Sequence, residues 1–325
     1  MIEKESKFGI QVLEKVEAHQ VSIYIIFLML AVIFGLLNTE AVYLDIFISP
    51  LLGVLMYGMF VQIPFLKSNG SATNMRFVVA LLLGNFVAVP LIVWVLVIIF
   101  LQDSSLMLGV YLVLLTPCID YVIVFTKMGK GNESILLKVT PILLILQMIL
   151  LPIYLFVFLG EKAMSIVRMG PFLDAFLFLI FIPLLLAIMT QLCSKKSSLG
   201  NRIMKMTPWI PVPFMSFVLF VVVASQIREV YSDLGTLIDV IPVYILFLLI
   251  IPWVSKSLGK LFKLDIASRR AITFSMGTRN SLVVLPLAFT LPEPLSTQVA
   301  VVIILQTITE LFGEVLYIKL VPKWF

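Results

Sequence analysis

The sequence predicts an all-α membrane protein of ten transmembrane helices. They form an inverted repeat of five plus five, with broken helices 4 and 9 crossing at the midplane. Three observations carry this expectation. The 325 residues are 61% hydrophobic and only 13% charged, with mean hydropathy +1.14, whereas soluble domains carry about 25% charged residues. The apolar runs are about 20 residues long, the length of a spanning helix rather than the alternating ~10-residue segments of a barrel. Finally, Asp120 and Arg279 each sit inside such a run, in LVLLTPCIDYVIVF (112–125) and ITFSMGTRNSLVVLPLAF (272–289). A charge near the bilayer centre costs roughly 2.5–3.5 kcal/mol, and broken helix at that depth is tolerated only where it is buried in protein or lines a cavity.

Residues 1–20 read as a short interfacial segment, with Phe8, Val12, Leu13 and Val16 on one helical face; a disordered tail is the competing reading. This start is too polar for a signal peptide. The spans follow at 21–37, 44–66, 77–100, 106–129, 133–159, 172–194, 208–231, 237–262, 270–291 and 298–320. The first five-helix repeat covers 21–159, a linker 160–171, and the second, inverted repeat 172–321. Nineteen Lys and Arg residues fall at the termini and after even-numbered spans, three after odd-numbered ones, and Arg279 completes the 23. By the positive-inside rule both termini face the cytoplasm of a plasma membrane protein. Ile145-Leu146-Gln147 recurs 159 residues later as Ile304-Leu305-Gln306, and the same offset carries Asp120 onto Arg279. Inverted repeats whose discontinuous helices meet at mid-membrane are a transporter plan.

Composition narrows the function. The net charge of +5 does not point to nucleic acid, because the basic residues sort by loop. Two cysteines make no disulfide framework, and the lone histidine, His19, lies outside the spans. No HExxH or other catalytic set is present, so the chain does not read as an enzyme. No cofactor or resident metal is called for.

The chemistry concentrates at the two breaks. Pro117 lacks an N–H and disfavours helix at Thr116, while Gly277 is expected to give span 9 similar freedom. Each break exposes backbone groups with helix-end dipoles behind them, enough to bind a small polar solute; a plain packing kink is the alternative. Asp120 and Arg279 are expected to pair, either as a static lock or as a pair that opens when substrate or a proton arrives. Glu310 and Glu314 lie one turn apart in span 10, and Glu310 is a candidate for coupling or substrate contact. Gln147 and Gln306 are buried amides whose default role is interhelical bonding. Cys118 is either a small apolar filler or a soft ligand facing the cavity.

With these residues in place, a resemblance appears. Cys118, Ile119, Val122, Val124, Phe125, Lys130, Gly131 and Asn132 reproduce the frame of the broken fourth helix in arsenite exporters of the bile acid/sodium symporter superfamily. The resemblance implies metalloid contact at Cys118 and a functional glutamate at Glu310. It also implies a panel of spans 1, 2, 6 and 7 beside a core of spans 3–5 and 8–10. The ninth helix departs from the arsenite pattern, reading Thr278-Arg279-Asn280-Ser281 where a glutamate is expected near Ser281. Sodium-coupled relatives carry oxygen ligands where this chain has Val122, Ile123, Ser275 and Arg279. Thr140 and Asn280 survive from that set but are too few, so sodium coupling is not expected, and Arg279 is expected to supply the positive charge instead.

The reading is a secondary active transporter, arsenite or antimonite efflux coupled to protons and not to sodium. Cys118, Asp120, Arg279, Asn280 and Glu310 would bind substrate, Pro117 and Gly277 break the helices, and Gln147, Gln306, Thr140 and Ser281 support the site. The alternative is proton-coupled transport of a small organic anion with Arg279 as the anion's partner. The partners are thus a small-molecule or metalloid substrate, protons and membrane lipid.

Overall fold

The computed structural model describes residues 15–16, 19–63, 74–119, 121–160, 177–195, 197–232 and 238–325. Asp120, most of the expected interfacial segment 1–20 and all but the first residue of the linker 160–171 lie outside the described residues. In chain order the helices are α1 (Gln20–Leu37), α2 (Ile48–Gln62, entered through a 3-10 segment Thr39–Phe47), α3 (Met75–Leu83), α4 (Val89–Phe100), α5 (Ser104–Leu114), α6 (Val122–Met128) and α7 (Glu133–Leu159). They continue as α8 (Ile182–Ser194), α9 (Ser198–Met206), α10 (Pro211–Ser232), α11 (Ile241–Leu261), α12 (Ile266–Gly277), α13 (Ser281–Ala288) and α14 (Leu295–Trp324). All ten expected spans are helical over most of their described length.

Among the described residues, five stretches are long and apolar enough to cross a membrane: Thr39–Gln62, Met75–Phe100, Glu133–Leu159, Ile241–Leu261 and Leu295–Trp324. The pair Gly200–Trp209 and Pro211–Ser225, bent by 52°, makes a sixth if it is one span. The expected spans 1 and 6 are the shorter apolar helices α1 and α8, and the expected spans 4 and 9 are each split, α5 from α6 and α12 from α13. Large apolar side chains stand exposed along these helices, Ile99, Met29 and Trp253 among them, a surface that suits lipid.

The chain divides into two compact units, Met1–Leu66 with Asp174–Ser232, and Lys67–Leu173 with Asp233–Phe325. The first holds the helices expected for the panel and the second those expected for the core. In the first unit α1 lies against α10, with Phe27 on Phe217 (ring centroids 5.6 Å apart) and Phe34 near Phe220 (5.7 Å). Gly35 permits this approach, since a Cβ there would stand 2.4 Å from the Ala224 carbonyl oxygen. Arg228 of α10 then caps the end of α1, donating from Nε to Gly35 O (3.0 Å) and from Nη2 to Leu36 O (2.9 Å). Gln191 of α8 donates to the carbonyls of Val61 (3.0 Å) and Ile63 (2.6 Å) at the end of α2.

The second unit carries the split helices. Pro90 lacks the N–H that the carbonyl of Phe86 would accept in an α-helix. The chain answers with a π turn, Gly84–Ala88, between α3 and α4, and the hydroxyl of Tyr154 on α7 donates to Phe86 O at 2.6 Å. The same device recurs in α11. Pro252 frees the carbonyl of Leu248, and the hydroxyl of Tyr317 on α14 donates to it. Side-chain oxygens cap the helix starts: Asp103 accepts from Ser105 N (2.7 Å), Asn132 from Ile135 N (3.1 Å) and Asp265 from Ser268 N (3.0 Å).

Candidate functional site at the crossing of two split helices

Helix α5 ends at Leu114 and α6 starts at Val122. Helix α12 ends at Gly277, and α13 starts at Ser281. The two interruptions meet. Pro117 and Arg279 form an isolated antiparallel β-bridge, flanked by Cys118 N donating to Thr278 O (3.0 Å) and Asn280 N donating to Thr116 O (2.8 Å). Extended backbone thus satisfies extended backbone, which either break alone would leave bare.

The break in span 9 begins directly after Gly277, but not through a special backbone angle at that glycine. Gly277 is the last residue of the helix and keeps no unusual backbone angle; the extended residue is Thr278, with φ −91° and ψ 126°. The glycine serves close packing instead, because a Cβ there would stand 2.7 Å from the Tyr317 ring.

Helix α14 supplies the acids that hold the second break. Glu310 is buried and accepts from Arg279 N (2.7 Å), the Tyr121 hydroxyl (2.8 Å) and Gln306 Nε2 (2.5 Å). The Tyr121 hydroxyl also donates to Arg279 O at 3.1 Å. One turn further, Glu314 Oε1 accepts from the Thr278 hydroxyl at 2.8 Å.

The Arg279 side chain is fully buried. Its Nη2 donates to Asn85 Oδ1 (2.8 Å), Ser275 O (2.6 Å) and Met276 O (2.5 Å), and Nη1 to Leu114 O (3.4 Å). The guanidinium carbon stands 5.7 Å from the centroid of Phe247. Asn85 lies in the π turn forced by Pro90, and its Nδ2 donates to Leu81 O and Ser275 Oγ (both 3.1 Å), which turns Oδ1 toward the guanidinium. The expected pairing of Arg279 with Asp120 lies outside the described residues.

The structure therefore brings together Pro117, Cys118, Arg279, Asn280, Gln306 and Glu310. Cys118 is buried and not in a disulfide. Asn280 caps α13, accepting from Val283 N (3.4 Å), while its Nδ2 and the hydroxyl of its neighbour Ser281 are buried without a hydrogen-bond partner among the described residues. Thr140 is occupied locally, donating to Leu136 O (3.1 Å). Gln147 is buried, and neither of its amide atoms, nor the oxygen of Gln306, has a hydrogen-bond partner among the described residues. Sequence reasoning missed Asn85, Tyr121, Thr278 and Phe247. Asn85 carried a readable signal, as the lone polar residue in the apolar run 77–101. Tyr121, Thr278 and Phe247 look ordinary in sequence.

Residues 49–233, more than half of the chain, match the sodium bile acid symporter family. The chain belongs to that family. No curated protein matches it. Members of the sodium bile acid symporter family are transporters rather than enzymes, and with the apolar helices described above the chain is a multi-pass membrane protein of that kind.

Proposed function

We propose that this family member is a secondary active transporter exporting arsenite or antimonite, with protons moving the other way and sodium taking no part. The observation that carries this reading is the buried thiol of Cys118 in the extended segment that pairs with Thr278–Asn280. Trivalent arsenic suits soft sulfur. Arsenous acid is neutral near pH 7, so the thiol displaces one hydroxyl as water, leaving an S–As bond and no net charge at the membrane centre. The route for the proton is Asp120 or Glu310.

Ten spans in an inverted repeat, with both termini at the cytoplasmic face of the plasma membrane, complete the proposal. Element order supports the repeat. A shift of 159 carries the start of α6, Val122, onto the start of α13, Ser281, and carries α5 and α7 onto most of α12 and α14. The tyrosine that satisfies a proline-freed carbonyl occurs once in each half.

Two features speak against sodium. Val122 and Ile123 offer no side-chain oxygen, and Asn85 Oδ1 with the carbonyls of Ser275 and Met276 already faces the Arg279 guanidinium. The same engagement weighs against the organic-anion alternative, which needs Arg279 free for a carboxylate.

The test uses inside-out membrane vesicles with an imposed pH gradient. Arsenite uptake is expected to require the gradient, to ignore sodium, and to fall at least ~100-fold in Cys118→Ser, in line with losing a group that contacts the substrate directly. Gradient-driven uptake of a small organic anion that survives Cys118→Ser and fails in Arg279→Gln would replace this reading by the alternative.

A further inference from the structure

Helix α9, the nine residues Ser198–Met206 between α8 and α10 of the first unit, sorts its side chains by chemistry. At 3.6 residues per turn, Ser198, Asn201, Arg202 and Lys205 fall within one arc of about 100°. Leu199, Gly200, Ile203 and Met206 fall on the other side. The protein uses only part of that apolar side. Gly200 is buried against the end of α8, where a Cβ would stand 2.6 Å from Ser194 N. Met206, by contrast, is 62% exposed, and Trp209 just beyond it is 40% exposed.

The charges are one-sided. Arg202 and Lys205 are exposed, and so is Lys195, just past α8. Helix dipoles account for Lys195 and Lys205, which stand at or beside a last turn. Arg202, at the middle of α9, has no such reason. No Asp or Glu occurs from 175 to 228, so this stretch of chain supplies no acid to balance them. Nor does α10 need α9 in order to cross a bilayer. Its 22 residues rise about 33 Å, close to the thickness of the hydrocarbon core. The helical stretch Gly200–Trp209 turns away from Pro211–Ser225 by 52°. Helix α9 thus leaves the direction of the span at the depth where headgroups lie.

We propose that α9 is a binding surface for anionic phospholipid: Arg202 and Lys205 take the phosphate of the headgroup, while Met206 and Trp209 lie against the upper acyl chain. An acidic protein segment would answer to the same charges but leaves Met206 and Trp209 unexplained. The surface lies within one unit and does not depend on what is carried. The orientation proposed above puts it at the cytoplasmic leaflet, where acidic lipids gather.

Trp209 is the reporter. Trp94, Trp253 and Trp324 are replaced by Phe, and the full chain is reconstituted in bilayers of phosphatidylcholine and phosphatidylglycerol, one or the other brominated on its acyl chains. Bromine quenches a tryptophan only at contact, so quenching at matched brominated fractions reads which lipid adjoins Trp209. Brominated phosphatidylglycerol is expected to quench Trp209 well beyond its share of the bilayer, and the preference is expected to weaken at high salt. Each Lys or Arg near the surface favours anionic lipid by about fivefold at low salt, so Arg202→Gln with Lys205→Gln is expected to cut the preference by about 25-fold. Lys138→Gln, at an exposed position of the second unit, is expected to leave it unchanged. Equal quenching by the two lipids in the parent at low salt overturns the proposal and turns α9 over to a protein partner. A preference that survives the double variant overturns it as well. If the double variant does not reconstitute, Arg202→Gln alone carries the comparison, with about a fivefold loss expected. The bilayers hold both lipids in both leaflets and no transport substrate, so neither a reversed orientation nor failure of arsenite transport affects the result.

Discussion

Cys118, Glu310 and Arg279 work as neighbours of one backbone bridge, and their roles follow from what each side chain touches. Glu310 gathers three donors, one of them the backbone N–H of Arg279, so the acid fixes the break. Asp265 shows how a single residue sets up the crossing from a distance. It caps α12, the helix that delivers Arg279. Burial raises its pKa, but the side-chain and backbone hydrogen bonds from Ser268 outweigh that, and its carboxyl sits below the usual range. A depressed folded-state pKa means the cap contributes fully above the ordinary aspartate value, about 3.9, and is lost as pH falls through the lower folded value. Asp265→Ala is expected to cost about 1 kcal/mol of stability near neutral pH. The difference between parent and variant should shrink below about pH 4. Melting curves of the two proteins from pH 3 to 7 check this; a difference that grows on acidification contradicts it.

At the scale of elements, prolines shape the core helices and tyrosines repair them. Pro90 and Pro252 each leave a carbonyl that a tyrosine hydroxyl from α7 or α14 satisfies. Removing that hydroxyl leaves the carbonyl unpaired in an apolar setting, at a cost of about 1–3 kcal/mol. Tyr154→Phe and Tyr317→Phe are each expected to lose stability by about that amount, read by thermal unfolding in detergent, whereas Tyr43→Phe, at an exposed position, should change little. Most helices, and the two breaks, were legible because hydropathy length and the Pro117 signal act locally. The cause of the second break was not. Gly277 offered conformational freedom that the chain does not use, and the extended residue is Thr278, its hydroxyl held by Glu314 and the next backbone N–H, that of Arg279, by Glu310, each thirty-odd positions away. Asn85 stood out as a lone polar residue in an apolar run, but its partner did not: the π turn that places it and its bond to Arg279 are not local features.

For the whole molecule, the sequence yielded membrane class, helix positions and a division into panel and core that came through family resemblance and coincides with the two compact units. The proposed site is narrower: a pairing of residues 116–118 with 278–280 that is invisible in one dimension because its partners are some 160 residues apart. The central claim is that substrate meets the chain at this pairing, on the thiol of Cys118. The most direct measurement uses a Cys193→Ser background, so that Cys118 is the remaining cysteine. A small, membrane-permeant thiol reagent is applied to protein in vesicles during turnover, and modification of Cys118 is timed with and without arsenite. The account predicts that modification abolishes uptake and that saturating arsenite slows it about tenfold or more, as expected when substrate occupies the residue for most of the time. Modification at the same rate whether or not arsenite is present, in vesicles that still transport it, would contradict the account.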